Sequence, residues 1–225
     1  MKNKNFPSCV IPIKNKDKEF HQPIDMEDLA NMAHPSRIIL CGNPNSGKSL
    51  AILNMLLHKK PPFQKIYLIH NDPSTLEYNS VDCEILEELP EIEEIDTDIN
   101  NLIIIEDIEY RTLSKDQKRL LDRYFGCYST HCNISIWCTA QDAISIPASI
   151  RRMASHVFIW KSLDLNHMSI LSSRFGLNNK DLKFIFDNIL TDPHDSLLID
   201  STRPICRFRK NIFEVLPYRQ NTNEK

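Results

Sequence analysis

At 225 residues and 41% hydrophobic, the chain can bury one full core and is short for two ordinary domains. Its net charge of -3 excludes an overall basic attraction to nucleic acid, so any such contact must come from local patches. Seven cysteines without a CxxC pair or Cys/His ligand spacing argue against a disulfide framework or a zinc site. No apolar run reaches the length of a membrane span or a signal-peptide core, so a soluble intracellular protein is expected.

Residues 1–30 read as a flexible basic arm, with Lys2, Lys4, Lys14, Lys16 and Lys18 interspersed with Pro7, Pro12 and Pro23. Residues 31–225 read as a single domain. Short apolar runs recur within it: RIILC (37–41), KIYLIH (65–70), NLIIIED (101–107), ISIWC (134–138) and HVFIW (156–160). Continuous rather than alternating apolarity suits strands buried on both faces, as in a parallel sheet covered by helices. Helical patterns follow at 48–58 and at 114–125, where Ser114 can cap the first turn. The acidic stretch 84–100 predicts a solvated helix and loop. Alternation of strand and helix gives an α/β fold. Beyond Lys161 a C-terminal extension, 162–225, adds two helical stretches, 164–174 and 179–190, with Gly176 as a C-cap between them. Two strands, SLLID and ICRFRK, then flank an STRP turn. On the second of these, Arg207 and Arg209 share a face toward phosphates or toward solvent, in a basic cluster with Arg203 and Lys210.

The chain has four glycines, and two of them fall in Gly42-Asn43-Pro44-Asn45-Ser46-Gly47-Lys48-Ser49. This segment has the form GxxxxGK[ST] between a predicted strand and a predicted helix, the context that a phosphate loop requires. Glycines permit positive φ and close backbone approach, and successive N–H groups converge on phosphate oxygens at a helix N-terminus. Lys48 would sit on the β- and γ-phosphates of ATP, and the Ser49 hydroxyl would ligate Mg2+. NLIIIED ends in Glu106 and Asp107, which places two carboxylates at the C-terminal edge of a parallel sheet. One can hold the metal's water shell and the other can activate the attacking water, with Glu109 as an alternative base. The strand ISIWC runs into Thr139 and Gln141, either of which can bond the γ-phosphate or the lytic water. Arg151 and Arg152 precede HVFIW, and an arginine inserted into a neighbouring subunit's site would stabilise transition-state charge.

The ordered set GNPNSGKS, LIIIED, WCTAQ and IPASIRRMASHVFIW, followed by LLID and ICRFRK, resembles the poxvirus-type genome-packaging ATPases of large DNA viruses and virophages, of the FtsK/HerA class of P-loop motors. The resemblance spans roughly residues 36–210. It implies a RecA-like P-loop fold of the additional-strand type, in which the sensor strand lies between the phosphate-loop and acidic strands. It also implies a pentameric or hexameric ring that hydrolyses ATP to translocate double-stranded DNA into a preformed capsid, alongside a capsid or portal component. For a viral chain the expected place is the host cell's virus factory or the virion. Carried onto this sequence, the family pattern makes 42–49 the nucleotide cradle, Glu106 the metal-side acid, Asp107 the water-activating acid, Gln141 the sensor and Arg151 the trans-acting arginine, with Arg152 as the fallback. The family more often has two aspartates or Asp-Glu where this chain has Glu106-Asp107. Two other classes stand beside this reading: a P-loop kinase acting on a small acceptor, and a noncatalytic ATP-regulated assembly protein.

Overall fold

The computed structural model describes residues 27–107, 109–161, 164–203 and 207–216. In chain order the elements are β1 (Arg37–Cys41), α1 (Lys48–His58), β2 (Lys65–Ile69), β3 (Glu84–Leu86), β4 (Asn101–Ile105), α2 (Lys115–Arg123), α3 (Ser129–His131), β5 (Ile134–Ala140), α4 (Ala148–Met153) and β6 (His156–Trp160). After these come α5 (Leu165–Ser172), α6 (Asn179–Asn188), β7 (Ser196–Asp200), β8 (Phe208–Lys210) and β9 (Glu214–Val215). A π-turn, Tyr124–Tyr128, joins α2 to α3.

All strands form one nine-stranded sheet in the order β3-β2-β4-β5-β1-β6-β7-β8-β9. Every pairing from β3 through to β6 is parallel, and β7, β8 and β9 continue the sheet antiparallel. The central strands β4 and β5 are buried along their whole length, which is why their sequences read as unbroken apolar runs. Period-two alternation divides their side chains between two cores. Ile39, Ile103, Ile136 and Val157 face the side that carries α2, α5 and α6. Ile38, Leu102, Ile104, Trp137 and Phe158 face the side that carries Ile52 and Met55 of α1. Ser114 caps α2 by accepting from the Gln117 N–H, and Gly176, at φ 84°, closes the short turn after α5.

Two regions differ from the sequence reading. The acidic stretch forms no α-helix: it contains β3 and a single 3-10 turn, Ile92–Glu94, pinned by the buried Leu89 and Ile95 with its carboxylates outward. Pro90 lies in the middle of that span, where it removes an N–H donor and disfavours helical backbone at the residue before it. Arg209, expected to face phosphates or solvent, is fully buried instead. Its guanidinium bonds Asp200 Oδ2 at 2.8 Å, and Arg203 Nε bonds the same oxygen at 3.0 Å. His156 Nε2 lies 3.2 Å from Asp200 Oδ1. Arg203 also donates to the carbonyls of Asp28 and Asn31, and Arg209 to that of Leu29. The segment entering β1 is thereby fixed to the antiparallel end of the sheet. Most of the expected N-terminal arm lies outside the described residues.

Candidate active site

β1 delivers the chain to the glycine turn 42–49 at the C-terminal edge of the sheet. Gly42 is packed so closely that a Cβ there would meet Ser46 Oγ at 2.7 Å and Trp160 Cβ at 2.9 Å. Gly47 adopts φ 103°, a left-handed conformation that favours glycine, and serves as the N-cap of α1 without a side-chain cap. No acidic residue lies in the helix's first turn, so its amides and dipole are left for an anion. Asn43, Pro44 and Asn45 are exposed at the loop's tip, with Asn45 at φ 60°. Ser46 is buried, and its hydroxyl has no hydrogen-bond partner among the described residues. Buried polar atoms are rarely left so, and an incoming phosphate oxygen would satisfy this one.

Lys48 is buried in the mouth of the loop. Its ammonium donates to the Gly42 carbonyl at 3.0 Å and the Asn43 carbonyl at 3.2 Å, and lies 3.9 Å from Asp107 Oδ1. The expected sensor strand β5 lies between β1 and β4, so the acids, the lysine and the ends of both strands meet at one edge.

The two carboxylates have different surroundings. Glu106 is half-buried: Tyr78 donates its phenol hydrogen to Oε1, and Thr139 donates to Oε2 at 2.8 Å. Burial raises the Glu106 pKa above the usual carboxylate range, the two hydrogen bonds lower it, and the negative Asp107 beside it adds to the rise. Asp107, at φ 45°, has a half-exposed side chain, and its main-chain N–H donates to Thr139 Oγ at 2.6 Å. A non-glycine residue in this conformation stores strain, which the Thr139 bond helps to hold. Gln141 Nε2 donates to Asp107 Oδ2 at 3.4 Å. Thr139 thus binds both acids, a larger part than its position in the sequence indicated.

Two cavities flank this cluster. One, of about 310 Å3, opens beside Asp107 and is lined by Glu109, Arg111, Gln141, Asp142 and Ser145. The other, of about 360 Å3, is largely apolar; Gly47, Ala51, Trp160, His194 and Phe213 are among its walls. Arg151 does not meet the cluster within the chain: its guanidinium donates to the carbonyls of Ala143 and Ile146, on the loop after β5. Arg152, one residue on, is exposed. Sequence reasoning missed Tyr78, which sits in the polar connection between β2 and β3 and is buried to 2% exposure. Nothing in that segment's composition marks its one phenol as a partner of an acid 28 residues downstream.

The architecture matches solved structures. The genome-packaging NTPase B204 of Sulfolobus turreted icosahedral virus 2, in complex with ATP-gammaS, superposes with a TM-score of 0.58 over 81% of this chain and 98% of its own, at 14% identity. The fold is that of a P-loop NTPase. The pCW3 conjugation coupling protein TcpA, with ATPgS, matches with a TM-score of 0.56 at 11% identity, covering 87% of this chain and 70% of its own. ATPases 2 and 3 of EssC from Geobacillus thermodenitrificans give 0.55 at 12% identity, covering 80% and 40%. No family model and no curated protein matches the sequence. Among the described residues, no helix is long and apolar enough to cross a membrane.

Proposed function

We propose that the chain is an ATP-hydrolysing motor that translocates double-stranded DNA into a preformed viral capsid, acting as a pentameric or hexameric homo-oligomeric ring on a capsid or portal component. The observation that carries the hydrolase reading is the meeting of Lys48, Ser49, Glu106, Asp107, Thr139 and Gln141 at one sheet edge, with β5 between the phosphate-loop and acidic strands. Residues 42–49 cradle the triphosphate through main-chain N–H groups, and Lys48 leaves its loop carbonyls for the β- and γ-phosphates.

The residues present suit Mg2+, which prefers hard oxygen ligands: the Ser49 hydroxyl and the Glu106 carboxylate would hold it, directly or through water. When bound, the metal neutralises charge developing on the γ-phosphoryl group. Asp107, the more exposed acid, accepts a proton from the attacking water or orients it, and Gln141 fixes that water beside Asp107. An arginine from the neighbouring subunit enters the cavity beside Asp107. Arg151 fits the family pattern, but two carbonyls of its own chain already engage it, so the exposed Arg152 is the better placed of the two.

A polyanionic partner is favoured by a second observation. Arg37 and Arg207 lie at the sheet edge opposite the phosphate loop, and Arg174 joins them; among the described residues none of the three pairs with a carboxylate. Arg174 and Arg207 lie 5.3 and 5.5 Å from the Phe175 ring centre. Burial, and then repulsion from Arg174, lowers the Arg37 pKa. Such a cluster attracts phosphates without reading sequence. ATP turnover measured with and without duplex DNA, alongside a screen of phosphate acceptors, tests the proposal. Stimulation by DNA is expected; acceptor-dependent ADP formation would make the chain a kinase, and nucleotide binding without turnover an assembly protein.

A further inference from the structure

The Tyr78 phenol is the one part of the site that the hydrolase reading leaves without a role. Its ring packs in the core beneath α1, with Ile52, Met55 and Ile104 in the same cluster. A buried phenol needs one hydrogen-bond acceptor, and a main-chain carbonyl is enough, as Tyr124 shows by donating to the Pro90 carbonyl at 2.8 Å. Tyr78 instead donates to Glu106 Oε1, and the Ser49 hydroxyl lies beside the same phenol. It therefore engages an oxygen of one of the two side chains assigned above to the metal and lies beside the other. Mg2+ holds its oxygens at about 2.0–2.1 Å and retains ordered water around them. A phenol bonded to Glu106 Oε1 occupies the oxygen that such a cation or one of its waters would use.

We propose that Tyr78 competes with the metal for Glu106, so that seating a magnesium nucleotide expels the phenol and frees the segment that carries it. This rests on the assignment of Ser49 and Glu106 to the metal. Thr139 keeps its bond to Glu106 Oε2 throughout, so the acid stays oriented while its other oxygen exchanges partners. The segment is suited to such release. It is held by short local turns, with Asp72 accepting from the Ser74 N–H at 2.9 Å and the Val81 N–H donating to the Tyr78 carbonyl at 2.9 Å. Leu76 and the residues around it are exposed, and Tyr78 is the segment's deepest anchor. Nucleotide loading would in this way become legible on the outer surface of the β2–β3 connection.

The test uses the full chain with a nonhydrolysable ATP analogue and titrates Mg2+ by calorimetry. Tyr78→Phe keeps the ring and removes the competing hydroxyl. Its half-saturating Mg2+ concentration should fall by about tenfold, the scale of one hydrogen bond to a charged group. Analogue affinity in EDTA should stay within about twofold of wild type. In the wild-type protein, amide hydrogen exchange across residues 72–81 should accelerate with Mg2+ and analogue, compared with analogue in EDTA. An unchanged or weaker Mg2+ response in Tyr78→Phe makes the phenol a permanent support of the acid and overturns the proposal. Should that variant fail to fold, unaltered exchange across 72–81 in the wild type overturns it equally. A wild-type chain that binds the analogue identically with and without Mg2+ refutes the metal assignment itself, and the latch with it.

Discussion

Thr139→Val tests the acid cluster at its centre. Thr139 is fully buried, and valine nearly matches its shape, so the substitution removes the hydroxyl with little change in packing. Its two short hydrogen bonds disappear: the one donated to Glu106 Oε2 at 2.8 Å and the one accepted from the Asp107 N–H at 2.6 Å, along with a longer contact to Asp107 Oδ1 at 3.4 Å. A bond to a charged group contributes about 1.5–3 kcal/mol and a neutral one about 0.5–1.5 kcal/mol. Part of that total is recovered by water at the half-exposed Asp107, which leaves roughly 2–3 kcal/mol. If this energy maintains the reactive geometry, kcat/KM for ATP should fall by about 30- to 160-fold. Nucleotide affinity should change by less than about threefold, because the phosphate loop is untouched. Thr139→Ser, which keeps the hydroxyl, should recover most of the rate. Steady-state phosphate release, with analogue binding and a thermal melt on the same samples, separates these effects. A folded Thr139→Val protein within twofold of wild-type kcat/KM would refute the idea that Thr139 sets the two acids.

Other predictions probe the rest of the chain. Lys48→Ala should abolish ATP turnover, and a variant at full rate would remove the phosphate-loop assignment. Asp200→Asn withdraws the carboxylate that Arg203 and Arg209 share and should cost about 3–5 kcal/mol in chemical denaturation. Burial alone would raise the Asp200 pKa, but His156, Thr202 and Arg209 hold it well below the ordinary aspartate value. Its contribution is therefore complete above about pH 4 and is lost as pH falls toward the depressed value, so wild type and Asp200→Asn should converge in stability under acid. Mixing Arg152→Ala with Asp107→Ala subunits should restore some activity if the arginine acts in trans, and the same mixture made with Arg151→Ala discriminates the two candidates; no recovery at any ratio counts against a shared site. Arg174→Gln should weaken duplex DNA binding and reduce the slope of log affinity against log salt by about 1, leaving DNA-independent ATP turnover unchanged.

The sheet was legible because its strands are buried on both faces, and such strands need an unbroken apolar run, as RIILC and NLIII supply. The tight turn at 42–49 was legible for a different reason: its geometry demands glycines at fixed offsets, and local chemistry writes those into the sequence directly. Strand order was not readable from periodicity, which reports which face is buried and not which strand is adjacent; the expectation that β5 intervenes came from resemblance. The same limit hid the Asp200 cluster. ICRFRK alternates like a strand with an outward basic face, yet the carboxylate that draws Arg209 inward belongs to β7, and only the antiparallel pairing brings the two together. Tyr78 was hidden for the same reason, since its partner lies across β2 and β4.

The inverted order of the acids, Glu106 then Asp107, has a structural reason. Glu106 follows β4 directly, its N–H still bonded to the Ile69 carbonyl, so its side chain continues inward between Tyr78 and Thr139. Reaching both of those hydroxyls from the strand end suits the longer glutamate. At Asp107 the backbone turns left-handed, and the side chain comes within 3.9 Å of Lys48 and within reach of Gln141. Aspartate is among the residues that tolerate this conformation best, whereas a β-branched or bulky residue would be a clear outlier there. The buried acid, its pKa raised mainly by desolvation, is the one whose charged form gains most from a cation; the exposed acid is open to water. Exchanging the two, in a Glu106→Asp and Asp107→Glu double variant, would shorten the reach to Tyr78 and Thr139 and put the longer chain in the strained turn. That variant should therefore lose more activity than either single conservative substitution, even though the pair of carboxylates is preserved.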